Sequence, residues 1–218
     1  ADVLGAHADE IILTGSGTES NNLAIQGVLR PLLFLHGEVH VVTSAIEHSS
    51  VLVPLYAMER EGLYITELPV DGTGILLPRA LREVVNNQTA FISIQMVNSE
   101  VGVIQNIRAI AKEIRHIKRS RSVMNLPLYF HVDASQAPLW LPLNVEKLGV
   151  DFLTLDAQKI LGPKGIGLLF ARRGIPFDPI IFGGGQEKGK RSGTENVALA
   201  GAFAVALSEA QEKVEERV

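Results

Sequence analysis

The 218-residue chain contains no cysteine. That absence excludes disulfides, zinc ribbons, thiolate-held iron–sulfur clusters and any thiolate nucleophile carried on this chain. An excess of positive charge is missing as well: 20 basic residues stand against 24 acidic ones, for a formal charge of -4. Such a balance leaves no basic field to hold nucleic acid or an anionic membrane. Long apolar runs are also lacking. Arg30 interrupts the longest candidate, around Val28 to Leu35, and a bilayer span needs roughly 18 apolar residues. There is no internal repeat and no Pro/Ser-rich linker, and the glycine cluster Gly183 to Gly185 is too short to separate two independent domains.

What is present is an apolar-rich globular composition, with 46% hydrophobic and 20% charged residues and a mean hydropathy of +0.20. Its length suits one large domain, or one domain with a small appendage, with a core of its own. The opening residues, Ala1 to Asp9, show no initiator methionine, basic n-region or apolar leader. They read as the tail of a helix running into a strand, so the chain is expected to begin inside a domain.

Short apolar runs alternate with longer amphipathic stretches. Strands are expected at Glu10 to Thr14, Val39 to Ser44, Leu63 to Leu68, Ala90 to Gln95, Leu128 to Val132, Phe152 to Leu155 and Gly167 to Ala171. Helices are expected at Thr18 to Leu35, Ser50 to Glu61, Pro78 to Asn86, Ile107 to Arg119 and Glu195 to Arg217. This β–α alternation predicts an α/β fold, a three-layer α-β-α sandwich around a mostly parallel, mixed sheet of about seven strands. In such sheets ligands bind beyond the carboxyl ends of the strands, so the polar residues just after each strand carry the functional information.

After the first strand, Gly15-Ser16-Gly17-Thr18-Glu19-Ser20-Asn21-Asn22 turns the chain directly into a helix whose free amides suit a phosphate. The plainer reading is a tight turn with a Ser or Thr N-cap. A Rossmann fingerprint would need glycine where Ser20 stands. After the second strand, Glu47-His48 places a histidine at the sheet mouth, able to stack on a ligand or move protons, or simply to cap a helix. Asn98-Ser99-Glu100-Val101-Gly102 adds polar side chains at the same edge. Asp133 ends the apolar run Phe130 to Val132, where a carboxylate is costly unless it meets a cation or strong donors. A metal is disfavoured because no second ligand stands at suitable spacing, and His131 is expected on the opposite strand face. Lys159 lies one turn beyond the next strand, where a desolvated amine can form a Schiff base; taken alone, the plainer reading is a surface lysine before a Gly-Pro turn. Gly184 to Lys190 has the glycine and lysine spacing of a P-loop, but Arg191 replaces the required Ser or Thr. That glycine-rich basic loop, ending Ser192-Gly193-Thr194, still suits a phosphate.

One cofactor needs a phosphate cradle, a stacking ring, a carboxylate for a protonated pyridine nitrogen and a lysine for an aldehyde: pyridoxal 5'-phosphate. Beyond that chemistry, the segments Gly15 to Asn22, Glu47-His48, Asn98 to Gly102, His131 to Ala137, Lys159 with Gly162 to Gly167, and Gly183 to Thr194 resemble, in order and spacing, the cysteine desulfurases. These sit with the selenocysteine lyases among the class V aminotransferase-like, fold-type I enzymes. The resemblance implies that Lys159 binds the cofactor's aldehyde, Asp133 keeps the pyridine nitrogen protonated, His48 stacks on the ring and Gln136 bonds its phenolic oxygen. It implies that Thr18, with the amides that follow Gly17, holds the phosphate, that Gln158 belongs to the cofactor-binding set, and that Thr194 reaches the phosphate of the cofactor of a second subunit in a homodimer. The implied substrate is cysteine or selenocysteine. The implied partner is a sulfur-acceptor protein, and the setting is iron–sulfur cluster assembly in the cytoplasm or an organelle matrix.

The chain departs from the family pattern where Asp156-Ala157-Gln158-Lys159 replaces Ser-x-His-Lys and where Ser99 replaces an asparagine. A carboxylate at position 156 would repel a phosphate unless it points elsewhere. Residues 1–218 are expected to be the large cofactor domain alone, truncated at both ends and lacking the small C-terminal domain with its acceptor cysteine. Two alternatives stand beside desulfuration: another class V enzyme acting on a small amino acid, and a non-catalytic domain that keeps the fold.

Overall fold

A computed structural model describes residues 1–122 and 126–217. In chain order the elements are β1 (Ile11–Thr14), α1 (Gly17–His36), β2 (Val39–Ser44), α2 (Ser49–Glu59), β3 (Leu63–Leu68), α3 (Leu81–Val84), β4 (Thr89–Gln95), β5 (Val97–Asn98) and β6 (Val103–Ile104). They continue with α4 (Ile107–Ser120), β7 (Tyr129–Asp133), α5 (Val145–Leu148), β8 (Phe152–Asp156), β9 (Gly167–Ala171), α6 (Val197–Glu212) and α7 (Val214–Arg217). Seven strands form one mixed sheet in the order β1-β9-β8-β7-β4-β2-β3. The strands from β3 to β8 run parallel, and β9 is antiparallel to both β8 and β1. The carboxyl ends of β1, β2, β4, β7 and β8 therefore meet at one sheet edge, together with the start of β9.

Alternation along the strands divides the core in two. Val41, Phe91, Phe152 and Leu169 pack with α1 and α2 through Leu23, Ile25, Leu29, Val51 and Leu55. Val42, Ile92, Phe130, Val132, Leu153 and Phe170 pack on the other side with α4, α5 and α6. The α4 sequence shows why: Ile107, Ile110, Ala111, Ile114 and Ile117 recur at helical spacing and are all buried, while Asn106 caps the first turn through the Ala109 amide. A buried isoleucine of this kind contributes about 1.5–3 kcal/mol relative to an exposed one.

The expected strands all form, within one residue at each end. Two expected helices are shorter. Over Pro78 to Asn86 a 3-10 turn leads into a four-residue α3, because Val85 turns extended and the Asn86 amide is taken by Thr89 Oγ1. Over Glu195 to Arg217, Asn196 caps α6 through the Leu199 amide, and the helix breaks at Lys213 before α7. The short β5–β6 ribbon falls in a stretch whose sequence reads as a polar turn.

His131 corrects an expectation. Two residues before Asp133, it shares the same strand face, toward α1 and α2, because a two-residue step returns to one side of the sheet. It stacks on Phe91 with ring centroids 5.8 Å apart, and its two ring nitrogens meet Ser93 Oγ at 2.8 Å and Thr154 Oγ1 at 3.1 Å. Burial pushes its imidazole down to about 4, against the opposing pull of the Asp133 carboxylate.

Candidate active site

The polar edge of the sheet is organised around Asp133. Its Oδ1 accepts from the Ser135 amide at 3.0 Å, and its Oδ2 accepts from Asn21 Nδ2 at 2.8 Å. The carboxylate is buried, and among the described residues no Lys, Arg or His forms an ion pair with it. Asn21 Nδ2 also donates to Ser50 Oγ at 2.8 Å, and Ser50 Oγ lies 2.7 Å from His48 Nδ1. The Ser50 amide donates to the same Nδ1, so that nitrogen is an acceptor and the Ser50 hydroxyl hydrogen points to it. His48 is thus the N-cap of α2, as the plainer reading expects, and is also wired through Ser50 and Asn21 to Asp133.

Lys159 stands in the 3-10 turn Ala157–Ile160 that follows β8. Its side chain is exposed, and its Nζ has no hydrogen-bond or ion-pair partner among the described residues. The next turn is closed by Leu161 in the left-handed region, φ 63, with Gly162 N bonded to Ala157 O. Gln136 Nε2 reaches Ser99 Oγ at 3.3 Å, which joins the loop after β7 to the loop after β5. Asn98 holds that second loop, accepting from the Glu100 and Val101 amides and donating to Ile46 O at 2.7 Å.

At the start of α1, Ser16 caps the helix through the Glu19 amide. The backbone there is pressed onto β9: a Cβ on Gly167 would lie 2.4 Å from Ser16 C and 2.8 Å from Gly17 N. Asp156 points at this turn. Its Oδ2 accepts from the Gly17 amide at 3.0 Å, and its Oδ1 accepts from the Gln158 amide at 3.1 Å. Thr18 is exposed beside it. Arg191 closes the far side by pairing with Glu19 at 2.7 Å, while Glu19 also receives the Gly15 amide.

The P-loop likeness is not realised. Lys190 Nζ is spent on Phe177 O at 2.6 Å and lies over the Phe177 ring, and residues Glu187–Gly189 form a 3-10 turn with left-handed Glu187 and Lys188. Thr194, two residues past buried Ser192, is exposed, and no hydrogen bond joins it to Thr18, Lys159 or Asp133 among the described residues.

Sequence reasoning assigned no role to Asn21, Ser50 or Glu47. Their signal was polarity at positions that the periodicity turns inward. Glu47 Oε1 accepts from Ser44 Oγ and from the Gln95 amide at 2.8 Å, while Oε2 is buried without a partner among the described residues. Burial pushes its carboxyl up to about 8, reinforced by the neighbouring Asp133 charge and opposed by those two donors.

Residues 1–216 match the family described as Aminotransferase class-V. The chain belongs to the class V aminotransferases. Among curated members, it is 42% identical over 219 residues to the cysteine desulfurase IscS of Dictyoglomus turgidum, covering 99% of this chain and 53% of that protein. It is 40% identical over 205 residues to the mitochondrial cysteine desulfurase of Candida albicans, covering 93% of this chain and 40% of that protein. Among solved structures, a NifS-like protein superposes with a TM-score of 0.92 at 35% identity, over 99% of this chain and 57% of that one. A second, SspA in complex with cysteine, gives a TM-score of 0.86 at 34% identity, over 100% and 62%. The chain spans about half the length of the curated relatives it matches.

Class V aminotransferases are pyridoxal-phosphate enzymes. The residues present fit that group at its ring and aldehyde ends. A buried carboxylate with no cationic side chain paired to it among the described residues suits a protonated ring nitrogen, and a lysine with no partner among them suits an aldehyde. Among the described residues no helix is long and apolar enough to cross a membrane, and no cluster of His, Asp and Glu could hold a metal ion.

Proposed function

We propose that residues 1–218 form the cofactor-holding domain of a cysteine desulfurase. The observation that carries this is the Asp133 carboxylate, buried without a cation among the described residues and wired through Asn21 and Ser50 to His48. The names of the curated relatives and the cysteine complex of SspA support the choice of substrate. Bound at this edge, pyridoxal phosphate supplies an electron sink for the bond electrons released at the substrate's α-carbon. Asp133 would keep the ring nitrogen protonated, Lys159 Nζ would hold the aldehyde end and move protons at the substrate, His48 would cover one ring face, and Gln136 would donate to the phenolic oxygen. Gly17, Thr18 and Gln158 lie at the phosphate, and Thr194 reaches across to a second copy of the chain in a homodimer.

The sulfur balance is simple. The C–S bond of cysteine breaks, the sulfur passes to an acceptor thiol that becomes a persulfide, and alanine remains. The chain has no cysteine, so that thiol lies outside these 218 residues, on another segment or on a sulfur-acceptor protein. Iron–sulfur cluster assembly, in the cytoplasm or an organelle matrix, is the setting that such a product serves. The same lack of cysteine favours one second reading, a class V enzyme that transfers the amino group of a small amino acid and needs no thiol.

The test is an absorbance titration of the purified chain with pyridoxal phosphate. A visible band is expected in the wild-type chain and not in Lys159→Ala, and L-cysteine is expected to perturb it more than L-serine does. The absence of a band from the wild-type chain would sink the cofactor assignment. A response to serine equal to that to cysteine would favour the second reading.

A further inference from the structure

The start of α1 already holds an anion of its own. Asp156 is buried, and its two carboxylate oxygens take the amides of Gly17 and Gln158 at 3.0 and 3.1 Å. A Cβ on Gly17 would lie 3.0 Å from Asp156 Cβ and 3.2 Å from its Oδ2, so the side chain is packed directly against the helix entry. Two neighbouring donors are committed too: the Glu19 amide to Ser16 Oγ, and the Gly15 amide to the Glu19 carboxylate, which Arg191 neutralises. No ion pair neutralises Asp156 among the described residues.

An amide at a helix start favours negative charge, and a carboxylate seated there uses the same donor and the same field that a phosphate would use. Two anions at one turn repel unless one moves. We propose that Asp156 is a built-in competitor of the cofactor's phosphate for the Gly17 amide, and so sets how tightly this chain holds the group. The inference rests on the reading that the phosphate lies at the start of α1. Asp156 also ties the turn that carries Lys159 to the entry of α1, across 139 residues of sequence. Phosphate binding and the placement of the lysine turn are therefore coupled through one side chain.

The experiment compares pyridoxal phosphate with pyridoxal, which lacks the phosphate, by measuring dissociation constants for the wild-type chain, Asp156→Ser and Asp156→Asn in phosphate-free buffer. Asn removes the charge and keeps one acceptor oxygen for the Gly17 amide, giving up the oxygen that takes the Gln158 amide, and it stands as the second variant should the serine variant unfold. Both variants are expected to bind pyridoxal phosphate about tenfold tighter than the wild type, with pyridoxal unchanged. Equal or weaker binding of pyridoxal phosphate by the Asn variant, or a parallel tightening of pyridoxal, overturns the inference and leaves the cofactor reading intact. Absence of pyridoxal-phosphate binding in all three proteins overturns both.

Discussion

Asn21 Nδ2 lies 2.8 Å from Asp133 Oδ2, a bond that joins the second turn of α1 to the carboxyl end of β7 across 112 residues of sequence. It is one of two donors to a buried carboxylate among the described residues, and hydrogen bonds to charged groups are worth about 1.5–3 kcal/mol. Asn21→Leu is therefore expected to lower stability by about 2 kcal/mol and to weaken pyridoxal-phosphate binding. Urea denaturation checks the first part: a midpoint that does not move would show that Asp133 is satisfied in some other way.

Glu47 sets a pH dependence of known sign. Its carboxyl is ordinary at 4.5 when unfolded and is pushed up to about 8 when buried, so between those values the folded chain binds a proton that the unfolded chain has lost. Stability from this group is complete below about pH 4.5 and is lost as the pH rises through about 8. Glu47→Gln keeps the shape and has no proton to lose. Its thermal midpoint relative to wild type is expected to climb between pH 5 and pH 8 and then level off. A difference independent of pH would mean that Glu47 is ionised in the fold.

Gly167 is a position where any side chain collides with backbone: its Cβ would stand 2.4 Å from Ser16 C and 2.5 Å from Ser16 O. Gly167→Ala is expected to cost about 1–3 kcal/mol or more, as overpacking does, and to disturb the start of α1. Gly201, exposed in α6 with nothing within 4 Å of its added Cβ, is the control. There alanine is expected to stabilise by about 0.5–1 kcal/mol. Chemical denaturation of the two variants side by side decides the matter, and a neutral Gly167→Ala would contradict the close approach.

Arg191 and Glu19 form a half-buried pair, with side-chain exposures of 24% and 18%, that pins the loop from Gly183 to Thr194 to α1. Arg191→Ala is expected to cost about 1 kcal/mol, between the values for exposed and buried pairs. It is also expected to raise hydrogen exchange at Gly189 to Gly193 without affecting α4. Unchanged exchange in that loop would show that the loop is held by other contacts, such as Lys190 on Phe177.

The sheet was readable because β-branched and apolar runs such as Val39 to Ser44 and Thr89 to Gln95 are buried on both faces, and such runs have few other uses. The helices fared less well where a local side chain competes for an amide, as Thr89 does at Asn86. Within the candidate site, Asp133 and His48 could be singled out from their places after strands. Their connection could not, because it runs through Asn21 and Ser50, brought together only when α1 packs beside α2. Asp156 shows the same limit most sharply. Sequence alone marks it as a carboxylate near an expected phosphate, but which amide it takes depends on a fold that brings residues 17 and 156 side by side.

The pairing of Ile11 with Phe170 has a consequence for vectorial synthesis. β1 is made before β9, which is its sheet neighbour among the described residues, so it waits unpaired while β2, β4, β7 and β8 are made. The entry of α1 rests on Gly167, the first residue of that late strand. The turn at the start of α1 is thus among the last parts of the sheet edge to be held in place. A nascent chain stopped before residue 167 would carry Thr18 and Lys159 yet have no wall to hold them in register.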